Sequence, residues 1–141
     1  MHTYSTNEGL AGNQVYALLE DSQGHIWIGT DNGLSRYDGQ IFRHYSPATS
    51  SGGRNVRALA QNGDGPLWIG TLGGLKCYHE GLFTTFTRAD GLAGNQIYTL
   101  THDSQGILWV GSTNGLNRYD GESFTTFTRA DGLAADNIYA L

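Results

Sequence analysis

The sequence predicts an all-β fold assembled from repeated sheets of four short antiparallel strands, and three observations carry that prediction. Trp27, Trp68 and Trp109 stand 41 positions apart in both intervals, within the recurring words Ile26-Trp27-Ile28-Gly29-Thr30, Leu67-Trp68-Ile69-Gly70-Thr71 and Leu108-Trp109-Val110-Gly111-Ser112. A fixed period of this length marks a repeat architecture, in which each unit buries its faces only against its neighbours. Turn-forming words recur in the same register. Apolar residues alternate with a period of two, and no stretch sustains the i, i+3, i+4, i+7 spacing of a helix.

Each unit reads as four strands. The first spans residues 14–20, where Val15, Ala17 and Leu19 alternate with Tyr16, Leu18 and Glu20, so the two sets are expected on opposite faces of a pleated strand. Asp21-Ser22-Gln23-Gly24 supplies a turn, repeated as Asn62-Gly63-Asp64-Gly65 and Asp103-Ser104-Gln105-Gly106. The second strand covers 25–30. Asn32-Gly33 follows as a hairpin signal, because both residue types tolerate positive φ; Gly73-Gly74 and Asn114-Gly115 hold the same place. The third strand covers 34–38, closed by Asp38-Gly39. The fourth covers 41–45, repeated at 82–86 and 123–127, and no helix is expected anywhere.

Four antiparallel strands every 40 or so residues are the blade of a β-propeller. The first strand has small residues at its centre (Ala17, Ala58, Thr99, Ala140), which suits the crowded strand nearest an axis. The tryptophan strand is apolar on both sides of the ring, which suits a sheet covered on two faces. The repeat core is therefore expected from Trp27, Trp68 and Trp109, from Leu18, Leu59 and Leu100, and from Gly29, Gly70 and Gly111. The whole chain, 1–141, reads as one array, with first strands starting near 14, 55, 96 and 137. Three blades at 14–45, 55–86 and 96–127 lie between partial units at 1–5 and 136–141. Propellers generally need four or more blades to close, so three leave two open faces, and further blades, from a longer chain or a second copy, are the expected partners.

Composition narrows the partners. Eight basic against 13 acidic residues give a net charge of −5, which offers no attraction to a phosphate backbone, so no nucleic acid is expected. No apolar run is long enough to cross a membrane as a helix, and the opening residues do not read as a signal peptide. Cys77 is alone and reads as a small strand residue. The histidines show no metal-ligand spacing, the Asn and Asp clusters lack the pattern of a calcium loop, and Gly9-Leu10-Ala11-Gly12-Asn13 lacks the Lys-Ser/Thr of a phosphate loop. No metal, cofactor or catalytic constellation is predicted.

Taken together, Gly9 to Leu18, Asp21 to Thr30, Asn32 to Gly39 and Phe42 to Tyr45, with copies 41 and 82 positions on, closely resemble the two-component regulator propeller repeat. The resemblance covers essentially the whole chain. It implies the periplasmic sensing region of a bacterial hybrid two-component histidine kinase, where many such regions sense breakdown products of polysaccharides. It also implies a much longer parent than this chain, with more repeats, a membrane helix and a kinase.

Non-catalytic binding is the function this reading favours, because propellers gather ligands on loops at one end of the central channel. The connection leading into each first strand is the longest and most polar. Its candidate ligand-binding residues are Asn13, Tyr16, Arg54, Arg57, Asn95 and Tyr98. Arg54 and Arg57 break an otherwise repeated pattern, which is explained either by drift in a solvated loop or by an anionic or sugar ligand held by guanidinium groups between tyrosine rings. The alternative to a carbohydrate-sensing segment is a purely structural scaffold, natural or engineered, without a ligand. Within the chain 21 of 31 positions agree between residues 9–39 and 91–121, which suggests copying of one unit.

Overall fold

In the computed structural model the described residues are 10–45, 55–133 and 138, and they form three separate four-stranded antiparallel sheets. The first blade contains β1 (Val15–Glu20), β2 (Ile26–Thr30), β3 (Gly33–Tyr37) and β4 (Phe42–Tyr45). The second contains β5 (Val56–Gln61), β6 (Leu67–Thr71), β7 (Gly74–His79) and β8 (Leu82–Phe86). The third contains β9 (Ile97–His102), β10 (Leu108–Ser112), β11 (Gly115–Tyr119) and β12 (Phe124–Phe127). Within each sheet the strands lie in chain order. Successive blades meet through their first strands, β1 on β5 and β5 on β9, which places those strands at the hub.

A bulge corrects the expected alternation on the first strand. Val15 pairs with Thr30 and Ala17 with Gly29, so Tyr16 has no opposite residue; Arg57 and Tyr98 are skipped in the same way. One extra residue reverses the faces. Val56 consequently joins Leu59, Leu67, Ile69 and Tyr78 against the first blade, while Ala58, Ala60, Trp68 and Leu75 face the third.

The two interfaces are built alike. Trp27 and Leu34 pack with Val56, Leu67 and Ile69; Trp68 and Leu75 pack with Leu92, Ile97, Leu100, Leu108 and Val110. Trp68 lies 5.4 Å from the Tyr119 ring of the next blade and 5.8 Å from Phe86 of its own. Burying an indole of this size contributes about 4–6 kcal/mol by area, with about 1 kcal/mol more for each well-placed ring pair. The glycine before the hydroxyl residue of the tryptophan strand makes room for the next blade: a Cβ on Gly29 would stand 2.7 Å from Val56, on Gly70 2.7 Å from Ile97, and on Gly111 2.8 Å from Ile138.

Two members of the expected core depart from it. Leu18 is 67% exposed, because it faces outward from the first blade where no described residue covers it; Leu59 is half-buried and Leu100 buried at the equivalent internal positions. Trp109 is only half-buried, since it points from the third blade as Trp68 points from the second, and among the described residues its ring partner is Phe127 of its own blade. The two end faces are therefore apolar. The first carries Leu10, Val15, Leu18, Ile26, Ile28, Tyr37 and Phe42.

Turn chemistry also differs in detail from the expectation. Thr30 pairs with Gly33, so the two-residue hairpin loop is Asp31-Asn32 and Gly33 already begins β3, at φ 125°. Positive φ at both loop positions belongs instead to Glu80-Gly81, at 53° and 83°. The buried hydroxyl of Thr30 accepts from the Asn32 N–H and donates to the Gly33 carbonyl, and Thr71 and Ser112 repeat this. No α-helix occurs among the described residues, but two single 3₁₀ turns do, Arg88–Asp90 and Arg129–Asp131. Each is closed by an aspartate accepting from the preceding threonine N–H (Asp90 from Thr87, Asp131 from Thr128, both 2.9 Å) and by a left-handed glycine. Capping of this kind leaves no 3.6-residue periodicity to detect.

Candidate functional site

The candidate site lies where the bulges are. A bulge residue is left out of the ladder, so its side chain is re-aimed from the sheet. Three such residues, Tyr16, Arg57 and Tyr98, stand at equivalent places on the three hub strands. Each donates to the amide oxygen two residues earlier: the Tyr16 hydroxyl to Gln14 Oε1 at 2.8 Å, Arg57 Nε to Asn55 Oδ1 at 2.7 Å, and the Tyr98 hydroxyl to Gln96 Oε1 at 3.3 Å. The donor changes from phenol to guanidinium and the acceptor from Gln to Asn, yet the bond persists.

Arg57 also reaches back to the preceding blade. Its Cζ sits 4.0 Å from the centroid of the Tyr16 ring, a cation–π contact linking β1 to β5. The structure thus joins Tyr16 and Arg57, which stand 41 residues apart in the sequence. Tyr16 remains 37% exposed.

The other predicted residues fare differently. Asn95 is turned into its own loop, where its side-chain oxygen accepts from the Arg88 N–H at 2.9 Å, so its role there is to hold the connection. Asn13 is exposed. Arg54 lies outside the described residues. Gln14, Asn55 and Gln96 escaped the sequence reading, although the spacing of two from a polar or aromatic strand residue was visible in all three units.

The leading connections are pinned at the third strand. Ser35 Oγ accepts from the Ala11 N–H, and Asn117 Oδ1 accepts from the Ala93 N–H while its amide donates to the Gly91 carbonyl. In the second blade this position is Lys76, fully buried, with Nζ donating to Thr85 Oγ1 at 3.0 Å. Burial pushes the Lys76 ammonium below its ordinary value.

At the opposite end of the blades, a cleft of about 470 Å³ between the first and second includes Asp21, Trp27, Arg36, Asp64 and Glu80 in its lining. Trp27 Nε1 donates to Asp21 Oδ2, and the Arg36 guanidinium lies 5.6 Å from the Trp27 ring. Burial works to raise the Asp21 pKa, but this bond and the His25 and Gln23 N–H groups outweigh it and hold the carboxyl below its usual value. The third blade repeats the bond as Trp109 to Asp103, with Arg118 at the place of Arg36, whereas the second blade has Asn62 and Cys77 at those two places. Among the described residues no group of three His, Cys, Asp or Glu is placed to hold a metal.

Residues 9–32 and 91–114 match the two-component regulator propeller family. The fold is shared with the extracellular domain of the hybrid two component system BT3049 from B. thetaiotaomicron, at a TM-score of 0.86 and 22% identity over 99% of this chain and 20% of that one. The extracellular domain of the one component system BT4673 from B. thetaiotaomicron gives a TM-score of 0.78 and 27% identity over 98% of this chain and 20% of that one. A virginiamycin B lyase from Staphylococcus aureus shares the fold more loosely, with a TM-score of 0.64 and 17% identity over 80% of this chain and 40% of that one. The chain spans about one fifth of the length of the two extracellular domains. No curated protein matches the sequence.

Proposed function

We propose that this chain, which carries two-component regulator propeller repeats, is a ligand-binding segment of a bacterial signalling sensor and works without catalysis on the periplasmic side of the membrane. The repeat words support the signalling context, as does likeness to extracellular domains of such systems. Its ligand, a carbohydrate breakdown product or another small polar molecule, sits at the hub over Tyr16, Arg57 and Tyr98. The observation that carries this reading is the Arg57–Tyr16 contact, which sets a charged group and an exposed ring side by side between two rigid blades.

Further blades complete the ring by covering the two apolar end faces. Calorimetric titration of a closed ring containing these blades against a panel of oligosaccharides tests the proposal. Binding that falls on Arg57→Ala or Arg54→Ala supports it, whereas affinity indifferent to both removes the site. The scaffold reading has one observation in its favour: residues 83–93 recur unchanged at 124–134, as an array without specialised loops would allow. A ring that binds nothing in the panel decides for the scaffold.

A further inference from the structure

We propose that Arg57 is a receptor for a carboxylate, so that the ligand of this site is a small acidic molecule, such as a uronic acid, rather than a neutral sugar. The inference rests on the binding role proposed above and narrows its chemistry. At the equivalent bulge the first and third blades carry tyrosine. Tyrosine and arginine both satisfy the amide two residues earlier, as the bonds to Gln14, Asn55 and Gln96 show. The change at position 57 therefore leaves local anchoring intact. What it adds is a fixed positive charge and a planar fork of donors.

That fork is held in place before any ligand arrives. Nε is engaged by Asn55 at 2.7 Å and Cζ lies 4.0 Å from the centroid of the Tyr16 ring, leaving the two Nη groups to make the parallel pair of bonds a carboxylate accepts. Arginine Nε only donates, so the Asn55 side chain presents its oxygen to Arg57. Arg57 belongs to neither the His25–Asp21 nor the His79–Glu80 ion pair. In a chain of net charge −5, a preorganised guanidinium outside these pairs suits an anionic guest. A hydroxyl of a neutral sugar can accept from this fork, but without the charge and the paired oxygens that a carboxylate brings.

The test uses the chain with acetate, D-glucuronate and D-galacturonate as probes, against glucose and the methyl esters of the two uronates. Binding is followed by the NMR signal of Arg57 Nε–H and by calorimetry. Wild type is expected to bind the uronates about tenfold or more tighter than their esters. Arg57→Tyr, which restores the residue of the other blades, and Arg57→Gln abolish that preference while melting like wild type; Arg57→Lys retains part of it. Esters or glucose bound as tightly as the acids, or a preference surviving Arg57→Tyr, overturn the carboxylate assignment and leave a binding module standing. No response to any carboxylate or neutral sugar overturns both.

Discussion

Gly70→Ala is the sharpest probe of how the blades meet. The added Cβ would stand 2.7 Å from Ile97 Cγ2, with Ile97 Cβ and Ala58 Cβ each at 3.3 Å. Favourable carbon contacts begin near 3.5 Å, so about 0.8 Å of movement is demanded. Ile97 is fully buried and sits on the hub strand of the next blade, so relief requires shifting one sheet against another. Overpacking of this kind costs about 1–3 kcal/mol, partly offset by about 0.5–1 kcal/mol from a less flexible unfolded chain. The net, about 1–2 kcal/mol, lowers the melting temperature by roughly 3–8 °C for a chain of this size. Thermal and urea unfolding measure it, and a double-mutant cycle locates it. Ile97→Ala removes the opposing methyl, so Gly70→Ala should cost at least about 1 kcal/mol less in that background. Ile97→Val keeps Cγ2 and should give no such relief. A Gly70→Ala chain that melts with wild type, or a cycle that is simply additive, refutes the notch.

Leu18→Glu, on the open apolar face, is expected to leave unfolding within about 0.5 kcal/mol of wild type while suppressing concentration-dependent association in sedimentation velocity; a wild-type chain that is monomeric throughout contradicts this. Lys76→Met tests the buried ammonium. The folded pKa lies below the unfolded one, so the unfolded chain binds the extra proton and wild-type stability should rise with pH up to about 10.5. Lys76→Met should be the more stable at pH 7, with the gap closing as pH climbs, whereas parallel melting curves across that range count against it.

Much of the architecture was legible because the chain states it three times. The four strands of each blade, their turns and the tryptophan strand followed from a 41-residue period that never slips. What escaped was one residue per blade. Strict alternation assigned Val15 and Ala17 to one face, but the bulge at Tyr16 separates them, and nothing in a pattern of apolar and polar letters marks an unpaired residue. The site was half legible for the same reason. Arg57 stood out as a break in the repeat, while its contact with Tyr16 and the conserved bond to the amide two positions back needed the strands side by side.

The sequence alone determined the blade, since local periodicity and turn residues act within about 40 positions and are read directly from residue type. Tertiary structure decided which faces are covered. Leu18, Leu59 and Leu100 hold the same place in the 41-residue repeat, yet the first lies open and the third is buried. Burial is a property of the neighbouring sheet, and among the described residues no sheet stands against the Leu18 face of the first blade.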